Sequence, residues 1–187
     1  YQRRRHVWTL INGGPASAIY KSTDAGATWR KVTSGLPSVD KGRIGMDISP
    51  ANPDVVYATI EAAEDKGGFF RSTDRGETWS KRSSYMTSSP QYYNEIICHP
   101  TDVDTVYALD TFLQITKDGG ADFNSVPIAD RHVDDHALWI NPDNPDHMLV
   151  GCDGGVYDTH DAGGACPYHH NPTATQFSKV AGDNSQR

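Results

Sequence analysis

Short runs of apolar and aromatic residues alternate with clusters of Gly, Pro, Ser, Asn and Asp along the whole chain. The runs have the length of β-strands, and the clusters between them are rich in residues that form turns. No segment of useful length repeats apolar residues at the spacing of an amphipathic helix. The pattern therefore predicts an all-β fold made of many short strands.

One segment of eight residues recurs along the chain. Residues 22–29 read STDAGATW, residues 72–79 read STDRGETW, and two diverged copies occupy residues 116–123 and 159–166. The diverged copies keep an aspartate and a glycine but replace the tryptophan by Phe123 and Cys166. The central aspartates are 50, 44 and 43 positions apart. A period of this size with strand-like units is typical of the blades of a β-propeller.

This octapeptide, which we call the turn motif, predicts a hairpin between two strands. Its glycine supplies a positive φ, its aspartate accepts hydrogen bonds from turn N–H groups, and its tryptophan covers apolar surface between sheets. We therefore expect Trp29 and Trp79 to be largely buried, and we expect the fourth copy, which ends in Cys166, to pack most loosely. A structural role is predicted for Asp24, Gly26, Trp29, Asp74, Gly76, Trp79, Asp118, Gly120, Asp161 and Gly163.

A second pattern precedes three of the four motifs. Residues 44–58, 96–108 and 137–150 each read as a strand, a turn containing Pro and Asp, and a second apolar strand. Together with the turn motif this unit supplies four strands, which is one propeller blade. The predicted organisation is a partial blade at 1–41, blades at 42–90, 91–131 and 132–171, and the start of a further blade at 172–187. Because four blades is the lower limit for a propeller, we expect the chain to be a segment of a larger one.

The composition narrows the classes of function. The chain has 187 residues and a net charge of −7, which argues against sequence-independent binding of nucleic acid. No stretch is apolar enough to cross a membrane, and no signal peptide is visible. Three cysteines are too few for a disulfide scaffold; Cys98 is predicted to be a buried thiol, and Cys152 could form a disulfide with Cys166. No cofactor is predicted, and no metal site is assigned.

Several stretches beyond the turn motif resemble a known group of proteins. They are residues 42–45 (GRIG), 90–93 (PQYY), 132–140 (HVDDHALWI), 153–157 (DGGVY) and 172–177 (PTATQF). Together with the motif they resemble the Asp-box (BNR-repeat) propellers, and specifically the bacterial sortilin-like proteins that are often labelled glycosyl hydrolases. The resemblance implies a secreted, periplasmic or cell-surface location and further blades on a longer polypeptide. It also implies the label of hydrolase, which in this group rests on the fold more than on a shared catalytic motif.

Residues 132–136 are the strongest candidate for a functional site. Two histidines and two aspartates within five residues could bind a divalent metal ion or supply an acid and a base. Alternation along a strand would place His132, Asp134 and His136 on one face. In a propeller this face would lie at the mouth of the central channel, near Asp153. A solvated loop is the alternative reading. The candidate catalytic residues are Asp134, Asp135 and Asp153, and the candidate ligand-binding residues are His132, His136, Tyr92, Tyr93, Asn94 and Glu61.

Three functions fit these observations. The first is a propeller that binds a peptide or a carbohydrate in its central channel, since aromatic rings beside carboxylates suit either ligand. The second is a glycoside hydrolase that uses a pair of carboxylates. The third is a structural subunit of a larger extracytoplasmic assembly. The sequence marks no catalytic pair, which favours binding.

Overall fold

The computed structural model describes residues 3–6, 9–127, 131–165 and 167 of the chain. Within these residues the chain forms fifteen β-strands and no helix, so the all-β prediction is confirmed. It follows that this part of the chain has no helix with the length and apolar character to span a membrane. Cys166 and the further blade predicted at 172–187 lie outside the described residues.

The strands form antiparallel sheets whose members follow one another in chain order. Strand β1 (Arg3–His6) pairs with β2 (Thr9–Asn12), and β3 (Ile19–Lys21) pairs with β4 (Arg30–Val32). A four-stranded meander follows, and it consists of β5 (Lys41–Ile48), β6 (Val56–Ala62), β7 (Gly68–Ser72) and β8 (Ser80–Ser83).

The second four-stranded meander contains β9 (Ile96–Cys98), β10 (Val106–Ala108), β11 (Gln114–Thr116) and β12 (Asn124–Ser125). The last sheet contains β13 (Asp135–Ile140), β14 (Met148–Cys152) and β15 (Gly155–Thr159). The first strands of the two four-stranded meanders, β5 and β9, lie against each other, and β2, which precedes them in the chain, also lies beside β5. We call this shared side the inner edge.

The four copies of the turn motif fold alike. In each copy the Ser or Thr two residues before the aspartate donates its hydroxyl to the carboxylate at 2.7–2.8 Å. The same hydroxyl oxygen accepts the N–H of the motif glycine at 2.8–3.0 Å. The N–H four residues after the aspartate donates to the carboxylate as well. The motif glycines all have positive φ, between 78° and 98°, which explains why glycine stands there.

These hydrogen bonds stabilise the ionised carboxylates of the motif. The hydroxyl of Thr28 is the largest influence on Asp24 and lowers its pKa to about 2. The pKa of Asp74 is lowered mainly by the hydroxyl of Thr78, and that of Asp118 mainly by the hydroxyl of Thr116. In Asp161 the N–H of Ala165 is the main cause of a lowered pKa. The motif aspartates therefore stay charged while they brace the turn.

The apolar core lies in the layers between neighbouring sheets. One layer holds Tyr57 and Phe69 against Ile96 and Cys98, and Cys98 is buried as predicted. Another layer packs the sheet of β9–β12 against β13 and β14, where Met148 is fully buried. Cys98 and Cys152 are free thiols.

The two motif tryptophans differ in burial. Trp79 is only 6% exposed because it packs between its own sheet and Ile19 and Val32 of the preceding one. Phe123 likewise packs on the preceding sheet, stacked on Tyr85 with ring centroids 3.8 Å apart. The prediction of a buried Trp29 was wrong, since 63% of it is exposed. The aromatic residue of the motif is buried by the preceding sheet, and no described sheet covers that face of β3 and β4.

Candidate functional site

Three loops meet at one end of the sheets. They are the loop that precedes β9, the loop that precedes β13 and the turn between β14 and β15. The first contributes Tyr93, the second contributes Asp134, and the third contributes Asp153. His136, the second residue of β13, completes a group that we call the Tyr93 cluster.

The members of the Tyr93 cluster contact one another directly. The Tyr93 hydroxyl donates to Oδ1 of Asp134 at 2.5 Å. The Tyr93 ring stacks on the His136 ring, with centroids 5.1 Å apart and an interplanar angle of 19°. Nε2 of His136 lies 3.5 Å from Oδ1 of Asp153. Each of the two stacked rings therefore contacts a carboxylate.

One part of the Tyr93 cluster is buried, and the other part is accessible to solvent. Tyr93 is buried, whereas the side chains of His136 and Asp153 are 45% and 63% exposed. Burial raises the pKa of Tyr93, and its bond to Asp134 raises it further, so the hydroxyl remains a donor at neutral pH. A ligand would meet the outer parts of His136 and Asp153 with Tyr93 held still behind them.

The backbone beneath the cluster is held in unusual conformations. Asp134 has a φ of 68°, and its N–H donates to the carbonyl oxygen of Thr111 at 2.9 Å. Asn94, next to Tyr93, has a φ of 99°. Left-handed conformations are costly for residues other than glycine, although Asn and Asp tolerate them best. Two such residues flanking one cluster are typical of a functional site.

The expected alternation through residues 132–136 was wrong. The strand β13 begins only at Asp135, and the left-handed Asp134 turns the chain immediately before it. Asp134 and His136 both contact Tyr93, whereas the His132 side chain lies beside Gly154. The N–H of His132 donates to the hydroxyl oxygen of Tyr157 at 3.2 Å, and the Nδ1 of His132 lies 2.7 Å from the carbonyl oxygen of Val133.

Asp135 does not have the accessibility that a catalytic residue needs. Its side chain is fully buried, and both of its oxygens contact the guanidinium of Arg131, which is buried as well. Burial raises the pKa of Asp135, and the bonds from Arg131 oppose that effect. We therefore correct the assignment of Asp135 from a candidate catalytic residue to one half of a buried ion pair.

The remaining predicted residues have mixed surroundings. Tyr92 is 68% exposed and Tyr93 is buried, so only one of these two predicted ligand-binding tyrosines presents its ring to solvent. Glu61 accepts the N–H of Arg43 at 2.9 Å, at the irregularity between β5 and β6. Asn94 is buried, and its amide donates to the carbonyl oxygens of Arg43 and Thr59. Glu61 and Asn94 thus support the inner edge, and both polar atoms of the Asn94 amide are engaged there.

Sequence reasoning missed Arg43 and Arg131. Nη1 of Arg43 donates to the carbonyl oxygen of Gln91 at 3.1 Å, and its Nη2 lies 3.5 Å from Glu95. Arg43 therefore fastens the loop that carries Tyr92 and Tyr93 to β5. Gly42-Arg43-Ile44-Gly45 was noted only as part of a resemblance. No local pattern indicates these contacts, because Arg43 and Gln91 are 48 positions apart in the chain.

An apolar groove of about 430 Å³ lies elsewhere, between β3 and β5, and is lined by Tyr20, Met46, Ile48 and Trp79. It includes no member of the Tyr93 cluster. Lys21, Asp47 and Arg75 also line the groove, but each already has a partner: Glu77, the N–H of Cys98 and Asp54, respectively. Because a site needs polar groups that can face a ligand, the groove is the weaker candidate.

Comparison with known proteins supports the fold. No protein-family model matches the sequence, and no curated protein matches it. Among solved structures, a GH74 enzyme from Niastella koreensis has a TM-score of 0.58 and 20% identity, over 80% of this chain and 25% of that one. An ancestral GH74 enzyme has a TM-score of 0.57 and 15% identity, over 78% of this chain and 20% of that one.

YCF48 from Cyanidioschyzon merolae is also similar, with a TM-score of 0.51 and 14% identity over 72% of this chain and 39% of that one. Identities of this size show the fold alone. The chain spans between a fifth and two fifths of these structures. It is an all-β segment of a β-propeller, built from four-stranded antiparallel sheets.

Proposed function

We propose that this chain is part of an extracytoplasmic, sortilin-like β-propeller that binds a peptide or carbohydrate ligand at the Tyr93 cluster. One observation carries the proposal: in a stacked pair of rings, Tyr93 contacts the carboxylate of Asp134 and His136 contacts that of Asp153. Rings offer a flat face to a sugar or a side chain, and carboxylates accept the hydroxyl or N–H groups beside it.

The arrangement suits binding because most of it is ordered before a ligand arrives. Tyr93 is held by its stack and by its bond to Asp134, and the loop before it is held by Arg43. Side chains that are already fixed lose little conformational entropy on binding. Tyr92, exposed beside them, supplies a further aromatic surface.

The proposal also includes further blades that complete the propeller. The exposed Trp29 stands where the preceding sheet covers Trp79 and Phe123 in the other motif copies. We infer that further sheets of a longer polypeptide, or of a partner, complete the propeller. In a version of the chain that carries those sheets, Trp29 fluorescence should be protected from acrylamide, and continued full quenching would contradict the inference.

Glycoside hydrolysis is the second candidate. It is favoured by the two carboxylates of the Tyr93 cluster, Asp134 beside Tyr93 and Asp153 beside His136, of which Asp153 is largely exposed. A hydrolase would need one of them to act as an acid and the other as a base or nucleophile. In the structure Asp134 instead accepts the Tyr93 hydroxyl, which occupies one of its oxygens and favours a positioning role.

Binding and turnover can be separated by one set of variants. The chain is screened against linear peptides and soluble β-glucan oligosaccharides, and any probe that binds is then tested with Asp134→Asn, His136→Ala and His132→Ala. Asparagine preserves the left-handed backbone of Asp134 better than alanine would. His132→Ala is the matched control, because His132 is exposed nearby but lies outside the cluster.

We expect Asp134→Asn and His136→Ala each to weaken binding about tenfold or more, whereas His132→Ala should bind like the parent chain. The melting temperature should remain nearly unchanged in all three variants. A set of variants that all bind like the parent chain would refute the assignment of the site. Release of reducing sugar by the parent chain, abolished by Asp134→Asn or Asp153→Asn, would establish the hydrolase instead.

A further inference from the structure

A second group of polar side chains lies at the opposite end of the last sheet. His147 precedes β14, Asp158 lies in β15, and His160 follows β15 within the fourth turn motif. Since β13 runs the length of the sheet, about 20 Å of strand separates this group from the Tyr93 cluster. The group therefore belongs to a different surface.

The register of the sheet brings these three side chains together. Met148 pairs with Thr159, so the next pair outward is His147 with His160. Asp158 and His160 are two residues apart and thus project from the same side of the strand. Nε2 of His147 lies 3.1 Å from one oxygen of Asp158, and Nε2 of His160 lies 3.6 Å from the other. The two imidazole rings are stacked, with centroids 4.3 Å apart.

We propose that His147, Asp158 and His160 bind a divalent transition-metal ion of the zinc class. One nitrogen or oxygen from each residue lies within 4.8 Å of the other two. In a tetrahedral zinc site with bonds of 2.0–2.1 Å the ligand atoms are about 3.3 Å apart, so small side-chain rotations suffice. Two imidazoles and one carboxylate leave a fourth position open to water, on the exposed side of His160.

The other sheets show that the fold does not impose this combination. The positions equivalent to His147, Asp158 and His160 by strand register are occupied by Val55, Arg71 and Thr73 in the sheet of β5–β8. In the sheet of β9–β12 they are occupied by Thr105, Ile115 and Lys117. Three metal-ligating side chains therefore replace residues that cannot form such a site, and they do so in one sheet only among the described residues.

The hydrogen bonds of Asn141 assign the tautomer of His147. The amide oxygen of Asn141 accepts the N–H of Asp143 at 3.0 Å, so its NH₂ group faces Nδ1 of His147 at 3.3 Å. Nδ1 is then an acceptor, and the ring proton is on Nε2, towards Asp158. Metal binding requires Nε2 without its proton and places the proton on Nδ1. The Asn141 amide must then rotate by half a turn to accept it, while water solvates the exposed Asp143 N–H.

This requirement gives a specific prediction. Asn141→Asp would accept the N–H groups of both Asp143 and His147 without rotation, in the arrangement by which carboxylates orient metal-binding histidines. It should strengthen zinc binding about tenfold. Asn144→Asp, in the same exposed turn, adds an equal charge that does not face Nδ1 of His147, and it is the matched control.

The experiment is a calorimetric titration of the 187-residue chain with zinc chloride, with calcium and magnesium chloride as hard-cation controls. His160→Thr should reduce the affinity about tenfold or more, and it should fold normally because threonine stands at that position in the first two motif copies. His132→Ala should not change it. Zinc should raise the melting temperature of the parent chain and not that of His160→Thr.

The proposal fails if His160→Thr binds zinc as tightly as the parent chain, since the ion would then lie elsewhere. It also fails if Asn144→Asp strengthens binding as much as Asn141→Asp, because general charge attraction would account for both. Absence of zinc binding to the parent chain, at concentrations that saturate a control zinc protein, refutes it directly.

Discussion

The burial of the motif tryptophan by the preceding sheet can be tested by comparing Trp79→Ala with Trp29→Ala. The two residues make the same hydrogen bond, from Nε1 to the carbonyl oxygen of the motif glycine, at 3.3 Å and 3.1 Å. Their exposure differs widely, at 6% and 63%. The difference in stability between the variants therefore reports the packing against the neighbouring sheet.

The expected magnitudes follow from the buried areas. A tryptophan that is almost wholly buried removes about 200 Å² from water, which corresponds to about 5 kcal/mol. Alanine retains part of this, and measured truncations of buried aromatic residues cost about 3–5 kcal/mol. For Trp29 about a third of the area is buried, which gives an upper limit of about 2 kcal/mol.

Urea denaturation followed by circular dichroism would measure both free energies of unfolding. In thermal denaturation, Trp79→Ala should lower the melting temperature by about 6–20 °C and Trp29→Ala by about 8 °C at most. Equal losses in the two variants would refute the argument, because the tryptophan would then act through its hydrogen bond within the turn. A larger loss for Trp29→Ala would show that the face of β3 and β4 is covered.

Three further predictions concern the framework of the molecule. Arg131→Met should destabilise the chain by about 3–5 kcal/mol in thermal denaturation, because it leaves Asp135 charged and buried. The double variant Arg131→Met/Asp135→Leu should recover most of this loss. If it recovers none, the ion pair has a role beyond the mutual neutralisation of its two charges. Because hydrogen bonds in the turn depress the pKa of Asp24 to about 2, its contribution to stability is complete above its unfolded pKa near 4 and is lost as the pH falls towards 2. Asp24→Asn should therefore flatten the dependence of the melting temperature on pH between about 4 and 2. If that dependence is as steep as in the parent chain, the lowered pKa of Asp24 is contradicted. Burial raises the thiol pKa of both Cys98 and Cys152, and Cys98 is the more deeply buried of the two. Iodoacetamide should therefore label Cys152 first and Cys98 only on unfolding, as measured by mass spectrometry. Early labelling of Cys98 would contradict its burial in the core.

The sequence predicted features that depend on the chain near a residue. The turn motif repeats its hydrogen bonds because the aspartate, its Ser or Thr partner and the glycine lie within a few residues of one another. The four-stranded meanders follow from the regular alternation of strands and turns. Trp79 was predicted correctly, but its burial depends on a neighbouring sheet, and the same reasoning therefore failed for Trp29.

The candidate site was predicted only in part, for related reasons. Alternation was assumed to begin at His132, but the left-handed Asp134 delays the strand to Asp135. The contact between Tyr93 and Asp134 joins residues 41 positions apart, and no local pattern indicates it. The pairing of His147 with His160 likewise depends on strand register, which the sequence alone leaves undetermined.

The central claim is that a ligand binds at the Tyr93 cluster, and histidine NMR tests it most directly. The imidazole carbons of the chain are labelled, and their signals are followed during titration with a peptide or oligosaccharide that binds in the screen. The account predicts that the His136 signal shifts with the binding curve while the signals of His147 and His160, at the far end of the sheet, stay in place. An unmoved His136 signal at saturation, with shifts elsewhere, would show that the ligand binds at another surface and would contradict the account.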